Sequence, residues 1–303
     1  MPSPLRTWLQ LFRAPNLFTV PGDPLAGYVL AAYGAFEPHV FYALGASVCF
    51  YAAGLLDNDL ADLAEDLADR PQRPLPSGAA RPRTVAIVAA ILVGTGFLLA
   101  AKLGAAALAI SAALVAAVGI YNHLTKHLPV IGALNMGACR GLSLLLGAAA
   151  APHPELLWRL LAAGRLNPLL TACALVTLYI AAITHLARFE TKTQSPPHAK
   201  WLPALALLAG AALFLVQVRT ATFWSTAAIF GVAVMNSFGA AAQLARDPSA
   251  PVPPVIGQFI RLLLLAQTAF CAAAGNIEAT LGAALLLIAW PISRAVSKRF
   301  YAS

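Results

Sequence analysis

Charged side chains are scarce in this sequence. Of its 303 residues only 11% are Asp, Glu, Lys or Arg, whereas 60% are hydrophobic and the mean hydropathy is +0.75. These values lie well outside the usual mixture of soluble globular domains. The composition therefore excludes an ordinary soluble domain and predicts an integral membrane protein.

Cysteine is also rare. The four cysteines, Cys49, Cys139, Cys173 and Cys271, all fall within predicted spans and lack the spacing of metal ligands. We interpret them as small buried hydrophobic residues. The N-terminus also lacks the charged start, short apolar stretch and A-x-A site of a signal peptide, so we expect the first apolar segment to remain as a span.

Apolar segments long enough to cross a membrane occupy most of the chain, since each spanning helix needs about 20 mainly apolar residues. The ten candidates are residues 17–36, 38–56, 84–102, 104–121, 130–151, 168–187, 201–218, 221–243, 258–275 and 278–296. Only Gly275 and Asn276 separate the last two segments, so the sequence predicts nine or ten spans. We expect one all-α membrane domain over residues 1–303, a polytopic bundle of transmembrane helices.

The Lys and Arg residues are unevenly distributed between the predicted loops. With a cytoplasmic N-terminus and ten spans, most of them fall on the cytoplasmic side, as the positive-inside rule requires. We therefore expect residues 57–83 to face the cytoplasm from the cell inner membrane. The net charge of +8 then reflects topology and attraction to anionic membrane lipid, and we expect no nucleic-acid partner.

Carboxylates are concentrated in one stretch, residues 57–78, which reads DNDLADLAEDLADRPQRPLPSG. Asn58, Asp59, Asp62 and Asp66 are spaced so that a helix would gather their oxygens on one face. Oxygen ligands without Cys or His favour Mg²⁺, which usually shares its coordination with water and a substrate phosphate. The alternative is a solvated acidic loop, which the membrane context disfavours. The stretch therefore predicts a magnesium site.

Two arginines, Arg70 and Arg73, follow the acidic residues at once. Their planar guanidinium groups are suited to phosphate oxygens. Prolines at 71, 74 and 76 prevent the helix from continuing through this segment. Metal ligands and arginines together predict a diphosphate site.

Polar residues also occur at apparent membrane depth, where they are costly and point to function. Arg140 lies about ten residues, or about 15 Å, into its predicted span. Two interpretations are open: it contacts substrate, or it pairs with the buried Asp23. Asp23 lies beside Pro21 and Pro24, where a broken helix would admit water or ligand. Asn16 either contacts substrate or bridges helices.

Several motifs resemble those of the UbiA superfamily of intramembrane prenyltransferases. The first aspartate motif of that superfamily is similar to Asn58-Asp59-x-x-Asp62-x-x-x-Asp66 followed by Arg70-Pro71-x-Arg73-Pro74-Leu75-Pro76-Ser77-Gly78. Two further segments resemble signatures of the same superfamily. They are Arg13-x-Pro15-Asn16, before the first predicted span, and Tyr121-Asn122-x-x-x-Lys126, after the fourth. The segment Asn135-Met136-Gly137-x-Cys139-Arg140-Gly141 resembles UbiA-like members encoded in bacterial ebo operons. The likeness covers most of the chain, with the last third similar only in hydropathy.

The resemblance implies a helical bundle around a central cavity, where two aspartate-rich loops hold Mg²⁺ on the diphosphate of an isoprenoid donor. The implied metal ligands are Asn58, Asp59, Asp62 and Asp66, and the implied catalytic residues are Asp59, Asp62, Asp66 and Arg140. Asn58, Arg70, Arg73 and Lys126 are expected to bind the diphosphate. Asn16, Asp23 and Tyr121 are expected to contact the acceptor or line the cavity.

The second aspartate-rich loop departs from the family pattern. Where members have a D-x-x-x-D pair, residues 184–192 contain a single carboxylate, Glu190. In one interpretation, Glu190 serves alone as a metal ligand. In the other, Arg188 and Lys192 bind the diphosphate and replace the positive charge of a metal ion, because guanidinium and ammonium groups also stabilise phosphate. Both interpretations are open.

The resemblance implies a Mg²⁺-dependent prenyltransferase that moves an isoprenoid from its diphosphate to a small lipophilic acceptor. One alternative is a UbiA-type terpene synthase, in which the carbocation is quenched within the same substrate. Another is a degenerate member that binds or carries an isoprenoid lipid, which the incomplete second loop favours and the complete first motif disfavours. The sequence leaves the acceptor, the donor chain length and the oligomeric state open.

Overall fold

The computed structural model describes residues 4–32, 37–152, 167–190, 196–247 and 251–299, and within them every regular element is helical. The prediction of an all-α fold is therefore confirmed. The helices are α1 (Pro4–Leu11), α2 (Ala14–Leu17), α3 (Gly22–Ala31), α4 (Val40–Ala61), α5 (Leu63–Asp69), α6 (Pro82–Ala101), α7 (Ala105–Ile120), α8 (Ile131–Ala148), α9 (Pro168–Ala187), α10 (Pro197–Leu215), α11 (Thr220–Arg246), α12 (Val252–Ala274) and α13 (Ile277–Arg299). A π-helical turn, Tyr121–Thr125, extends α7.

In this part of the chain nine helices are long and apolar enough to cross a membrane, namely α4 and α6 to α13. The last two predicted spans are indeed separate helices. Gly275 ends α12 in the left-handed conformation, with φ of 71°, which glycine adopts without the penalty that a Cβ imposes. The outside of the bundle carries exposed apolar side chains such as Leu98, Trp224 and Met235, as lipid contact requires.

The predicted first span over residues 17–36 is wrong as one continuous helix. Helix α2 ends at Leu17, turns follow, and α3 is only ten residues long. Pro21, the N-cap of α3, explains the break, because its ring has no N–H for the Leu17 carbonyl four residues earlier and clashes with it. In the break, the Thr19 carbonyl accepts hydrogen bonds from side chains of α8 and α12. Residues 33–36 lie outside the described residues.

The long helices alternate in direction, so their ends collect at two levels. We call the level that carries α5 and the loop 70–81 the motif end. The C-terminal ends of α4, α7, α9, α11 and α13 lie there, together with the N-terminal ends of α6, α8, α10 and α12. Residues distant in sequence, such as Asn58, Tyr121, Glu190 and Lys298, therefore line one cavity.

Close helix packing fixes α8 in the middle of the bundle. It packs on both α3 and α9. A Cβ on Gly27 would lie 1.8 Å from the carbonyl oxygen of Leu144, and a Cβ on Gly147 would lie 1.8 Å from that of Pro24. Glycines therefore permit the approach of α3 to α8, as small residues do at membrane helix interfaces. This contact brings Arg140 on α8 against the break before α3.

A small apolar cluster anchors the arginine loop. Leu75, in the loop, is buried with Leu11 of α1, Leu56 of α4 and Val85 of α6. Trp8 stacks on Phe12 beside this cluster, with ring centroids 5.6 Å apart. The loop 70–81 is therefore held by packing as well as by charge.

Candidate active site

A cavity of about 460 Å³ lies inside the bundle and reaches the motif end. We call it the main cavity. Eight of the sequence-predicted residues line it: Asn16, Asn58, Asp62, Arg70, Arg73, Tyr121, Arg140 and Glu190. Its other walls include apolar side chains, among them Leu55, Met136, Ile180, Ile183 and Leu263. The main cavity is therefore polar at its mouth, near Asp62 and Glu190, and apolar along much of its wall.

Four further predicted residues reach the main cavity indirectly, each through an ion pair with a residue that lines it. The pairs are Asp59 with Arg13, Asp66 with Arg73, Lys126 with Asp62, and Asp23 with Arg140. Of the remaining two, Arg188 is the C-cap of α9 and does not line the cavity within the described residues. Lys192 lies outside the described residues.

The acidic motif is divided between two consecutive helices. Helix α4 ends at Ala61, Asp62 occupies the junction, and Asp66 belongs to α5. Helical hydrogen bonds continue across the junction, from the Asp62 N–H to the Asn58 carbonyl (2.9 Å) and from the Asp66 N–H to the Asp62 carbonyl (2.8 Å). The carboxylates on the two sides of this junction bind different partners, since Asp59 pairs with Arg13 and Asp66 pairs with Arg73.

Asp62 is the carboxylate of the motif that lines the main cavity. Its Oδ2 accepts a hydrogen bond from Nδ2 of Asn58 (3.0 Å), and its Oδ1 binds Nζ of Lys126. Lys126 follows the π-helical turn that ends α7, and its N–H donates to the carbonyl of Tyr121 (3.0 Å). Such turns often occur at functional sites. Here the turn places the Lys126 ammonium group beside Asp62 of the acidic motif.

Asp66 organises the arginine loop. It is buried, with 3% of its surface exposed. Nη1 of Arg73 donates to both of its carboxylate oxygens, at 3.0 and 2.8 Å, and Nη1 of Arg70 lies 3.8 Å from Oδ1. The carboxylate therefore holds both cations of the loop at the cavity wall.

Arg13 is a lining residue that the sequence motifs did not assign to the site. Its Nη2 lies 3.4 Å from Oδ1 of Asp59. Its φ of 45° is the only positive value at a non-glycine residue in the described part of the chain. Such strain is retained where surrounding structure imposes it, often at functional sites.

The deep part of the main cavity contains a buried polar network, which we call the floor. Nε of Arg140 lies 2.6 Å from Oδ2 of Asp23, and its Nη2 donates to the Thr19 carbonyl (2.8 Å). Nε2 of Gln267 donates to Oδ1 of Asp23 (2.6 Å) and to the same Thr19 carbonyl (2.9 Å). The guanidinium carbon lies 5.8 Å from the ring centroid of Tyr51.

Both interpretations of Arg140 are thus compatible with the structure. The residue pairs with Asp23, and it also lines the main cavity. Its recorded hydrogen bonds and ion pair with described residues engage Nε and Nη2, which leaves Nη1 for the cavity. Sequence reasoning missed Gln267, although an amide in the apolar second half of α12 is the signal that would have found it.

The chemistry of the cavity wall fits a hard cation. Among the described lining residues, Asn58, Asp62 and Glu190 provide oxygen donors, and neither Cys nor His is present. This donor set suits Mg²⁺ better than zinc. A complete cluster is not preassembled: within the described ranges no three His, Cys, Asp or Glu side chains are grouped to hold a metal ion, because the motif carboxylates are paired with cations.

Comparison with known proteins identifies the fold and the family. The sequence model of the UbiA prenyltransferase family matches residues 24–194. A digeranylgeranylglyceryl phosphate synthase of Methanopyrus kandleri is 32% identical over 155 residues, which cover 50% of this chain and 55% of that protein. The chain thus spans about half the length of the curated relatives it matches.

Two solved structures share the fold. An apo UbiA homolog from Aeropyrum pernix K1 has a TM-score of 0.68 and 19% identity, covering 84% of this chain and 96% of the other. A UbiA homolog from Archaeoglobus fulgidus bound to DMAPP and Mg²⁺ has a TM-score of 0.61 and 12% identity, covering 94% and 99%. The family match extends over more than half of the sequence and agrees with nine apolar helices in the described residues. This integral, multi-pass membrane protein belongs to the UbiA prenyltransferase family.

Proposed function

We propose that this protein is a Mg²⁺-dependent intramembrane prenyltransferase, with residues 1–303 as one catalytic domain, that transfers an isoprenoid from its diphosphate to a lipophilic acceptor. The observation that carries the proposal is the main cavity, which joins Asn58, Asp62, Arg70 and Arg73 at its mouth to an apolar interior. A polar mouth suits a diphosphate, and an apolar interior suits an isoprenoid tail. The family match and the Archaeoglobus homolog with bound DMAPP and Mg²⁺ support the same assignment.

Charge balance at the mouth supports a role for magnesium. Asp62, Asp66 and Asp59 are already neutralised by Lys126, Arg73 and Arg13. A diphosphate would add negative charge that these pairs do not offset, beside the further cations Arg70, Arg261 and Lys298 that line the cavity. Bound Mg²⁺ would add positive charge next to the carboxylates and stabilise the departing diphosphate. The proposed ligands are Asn58, Asp59, Asp62, Asp66 and Glu190.

The basic residues of the mouth are proposed to exchange partners when donor binds. Arg70, Arg73 and Lys126 now contact carboxylates, and a metal on those carboxylates would free their N–H groups for diphosphate oxygens. Charge-assisted hydrogen bonds of this kind are about twice as strong as neutral ones. Arg188 and Lys192 remain proposed diphosphate ligands, while Glu190, which lines the cavity, favours a surviving oxygen ligand in the second loop.

The apolar wall is proposed to protect the reaction from water. Side chains such as Leu55, Ile180 and Ile183 line the interior. Ionisation of an allylic C–O bond leaves a carbocation that water would quench, and a dry chamber prevents this until the acceptor attacks. The same wall holds the isoprenoid tail.

Arg140 is proposed to bind a polar oxygen of the acceptor through Nη1. Asp23, Thr19 and Gln267 fix the guanidinium on its other side, so these residues position it and Asp23 acts through Arg140. Asn16 and Tyr121 line the same cavity and are proposed acceptor contacts. The named activity of the curated relatives, digeranylgeranylglyceryl phosphate synthase, supports a phosphate-bearing glycerol lipid as acceptor.

The positive-inside rule supports a motif end that faces the cytoplasm of a cell inner membrane. Arg81 and Arg83 near the start of α6 lie at this end, as do Arg246, Arg294 and Lys298 of the last helices. The donor would then enter from the cytoplasmic side.

The proposal is tested by incubating the purified protein with Mg²⁺ and a radiolabelled isoprenyl diphosphate, with and without a monoprenyl glyceryl phosphate. We expect a prenylated lipid that forms only when both substrates and Mg²⁺ are present. A cyclic hydrocarbon from donor alone would instead identify a terpene synthase. Donor binding without turnover for a range of acceptors would identify an isoprenoid carrier, which the single carboxylate of the second loop favours.

A further inference from the structure

A second cavity, of about 250 Å³, lies at the motif end between α11, α12 and α13. Its walls include three cations, Arg261, Arg294 and Lys298, and among its described lining residues there is no Asp or Glu. All of these residues follow the segment 24–194 that the family model matches. The second cavity is therefore a strongly positive site outside the matched part of the chain.

Polar side chains from all three helices accompany these cations: Asn236 of α11, Gln258 of α12 and Ser297 of α13. Asn236 lies ten residues before the end of α11, which is about 15 Å along the helix. Its neighbour Met235 is 74% exposed on the outside of the bundle, so this part of α11 faces lipid. An amide is costly at such a position unless it has a use.

The orientation of Arg294 also indicates a prepared site. Its guanidinium carbon lies 5.6 Å from the ring centroid of Trp290, which lines the same cavity. A cation held over an indole face loses little further freedom when it binds an anion. Arg294 lines only the second cavity, whereas Arg261 and Lys298 line both cavities. The two cavities thus share a wall.

We propose that the second cavity binds the phosphate group of a membrane lipid. Guanidinium and ammonium donors match phosphate oxygens, and basic pockets between spanning helices recognise anionic head groups. The amide of Asn236 is available to the P–OH of a phosphate monoester through its acceptor Oδ1, since its Nδ2 donates to the Val232 carbonyl (2.8 Å). Exposed side chains of α11 and α13, such as Met235 and Ile292, would contact the acyl or prenyl chains. Gln258, Arg261, Ser297 and Lys298 line both cavities, so the polar and aromatic residues that distinguish the second site from the site of the proposed reaction are Asn236, Trp290 and Arg294.

The test measures lipid binding to the purified full-length protein by native mass spectrometry in detergent. The probes are dioleoyl phosphatidic acid, dioleoylglycerol with the same chains but no phosphate, and inorganic phosphate as a competitor. The variants are Arg294→Gln, Asn236→Leu and a control, Arg246→Gln. The control removes the same charge at the same end of the bundle, from an exposed position that does not line the cavity.

We expect phosphatidic acid to bind the wild type, and Arg294→Gln to weaken that binding at least about tenfold, as the loss of a charge-assisted contact predicts. Asn236→Leu, which keeps every cation, should weaken it about threefold. Arg246→Gln should leave it unchanged, and dioleoylglycerol should bind poorly. Equal binding of the two lipids, or equal losses in Arg294→Gln and Arg246→Gln, would overturn the proposal and indicate only a general surface attraction.

Competition identifies the source of the phosphate. Retention of phosphatidic acid in excess inorganic phosphate supports a lipid head group, whereas displacement at comparable concentrations supports a soluble phosphate. Binding of isoprenyl diphosphate with Mg²⁺ should be unchanged in Arg294→Gln, because that residue lies outside the main cavity. If the variant loses both ligands together, the phosphate lies in the main cavity and the second site does not exist.

Discussion

The mouth and the floor of the main cavity hold their charges in different ways. At the mouth, Asp62 and Lys126 form a pair that is partly exposed and reaches the cavity surface. At the floor, Arg140 and Asp23 are buried, and Gln267 and the Thr19 carbonyl add hydrogen bonds to the pair. A pair at the cavity surface can exchange partners when a ligand enters, whereas a fully buried pair is costly to break. The mouth is therefore suited to binding the diphosphate, and the floor is suited to holding the Arg140 guanidinium in position.

The largest effect on stability is expected at the floor. Asp23→Ala would leave Arg140 buried without its counterion and should reduce the free energy of unfolding by about 3–5 kcal/mol. Thermal unfolding in detergent measures this loss. The matched control is the double variant Asp23→Leu with Arg140→Met, which removes both charges and should recover most of the stability without recovering turnover. Wild-type stability in Asp23→Ala would show that the floor pair is not structural.

The largest effect on catalysis alone is expected at the mouth. Asp62→Ala should reduce turnover about 100- to 1000-fold, the usual loss when a group that stabilises developing charge is removed. The unfolding free energy should fall by about 1–3 kcal/mol, less than at the floor, since the side chains of Asp62 and Lys126 are 18% and 15% exposed. Asp69→Ala, which removes an exposed carboxylate of α5, serves as the control. An active Asp62→Ala enzyme would remove Asp62 from the proposed site.

Asp66 combines features of the two regions, because it belongs to the mouth but is buried. Asp66→Asn would weaken its bonds to Arg73 and should lower stability by about 1–3 kcal/mol. We also expect the KM for the isoprenyl diphosphate to rise more than kcat falls, because the arginine loop is less well positioned. Steady-state kinetics separate the two constants, with Glu65→Gln as an exposed control. A change in kcat alone would assign Asp66 directly to the chemical step.

The smallest effect is expected in the second loop. Glu190→Gln should shift the Mg²⁺ concentration that gives half-maximal activity upward by a few fold if Glu190 is a metal ligand. The measurement is a magnesium titration of turnover, with Glu278→Gln at the opposite end of the bundle as control. An unchanged titration would leave the first motif as the only source of protein ligands for the metal.

The sequence was sufficient to predict most of the fold, because lipid imposes a simple requirement on span length and polarity. The separation of the last two helices at Gly275 also followed from a local signal. The first span was harder. Its prolines were visible, but the close approach of α3 to α8 through Gly27 and Gly147 is a contact that sequence spacing does not reveal.

The candidate site was predictable in its residues and less so in its geometry. A buried arginine needs a counterion, so the pair of Arg140 with Asp23 was among the interpretations of the sequence and is now observed. Helical spacing placed the acidic residues on one face. In the structure α4 and α5 meet at Asp62, and Asp59 and Asp66, on either side of it, pair with Arg13 and Arg73. Gln267 comes from a distant helix, and only the packing of α12 against α3 brings it to Asp23.

Calorimetric titration of an isoprenyl diphosphate into the purified protein, with and without Mg²⁺, tests the proposed metal site directly in the wild type and Asp62→Ala. We expect the wild type to bind the donor tightly only when Mg²⁺ is present, and Asp62→Ala to lose this dependence together with most of the affinity. Equal binding by both proteins, or wild-type binding that ignores Mg²⁺, would contradict a magnesium-held diphosphate at the mouth.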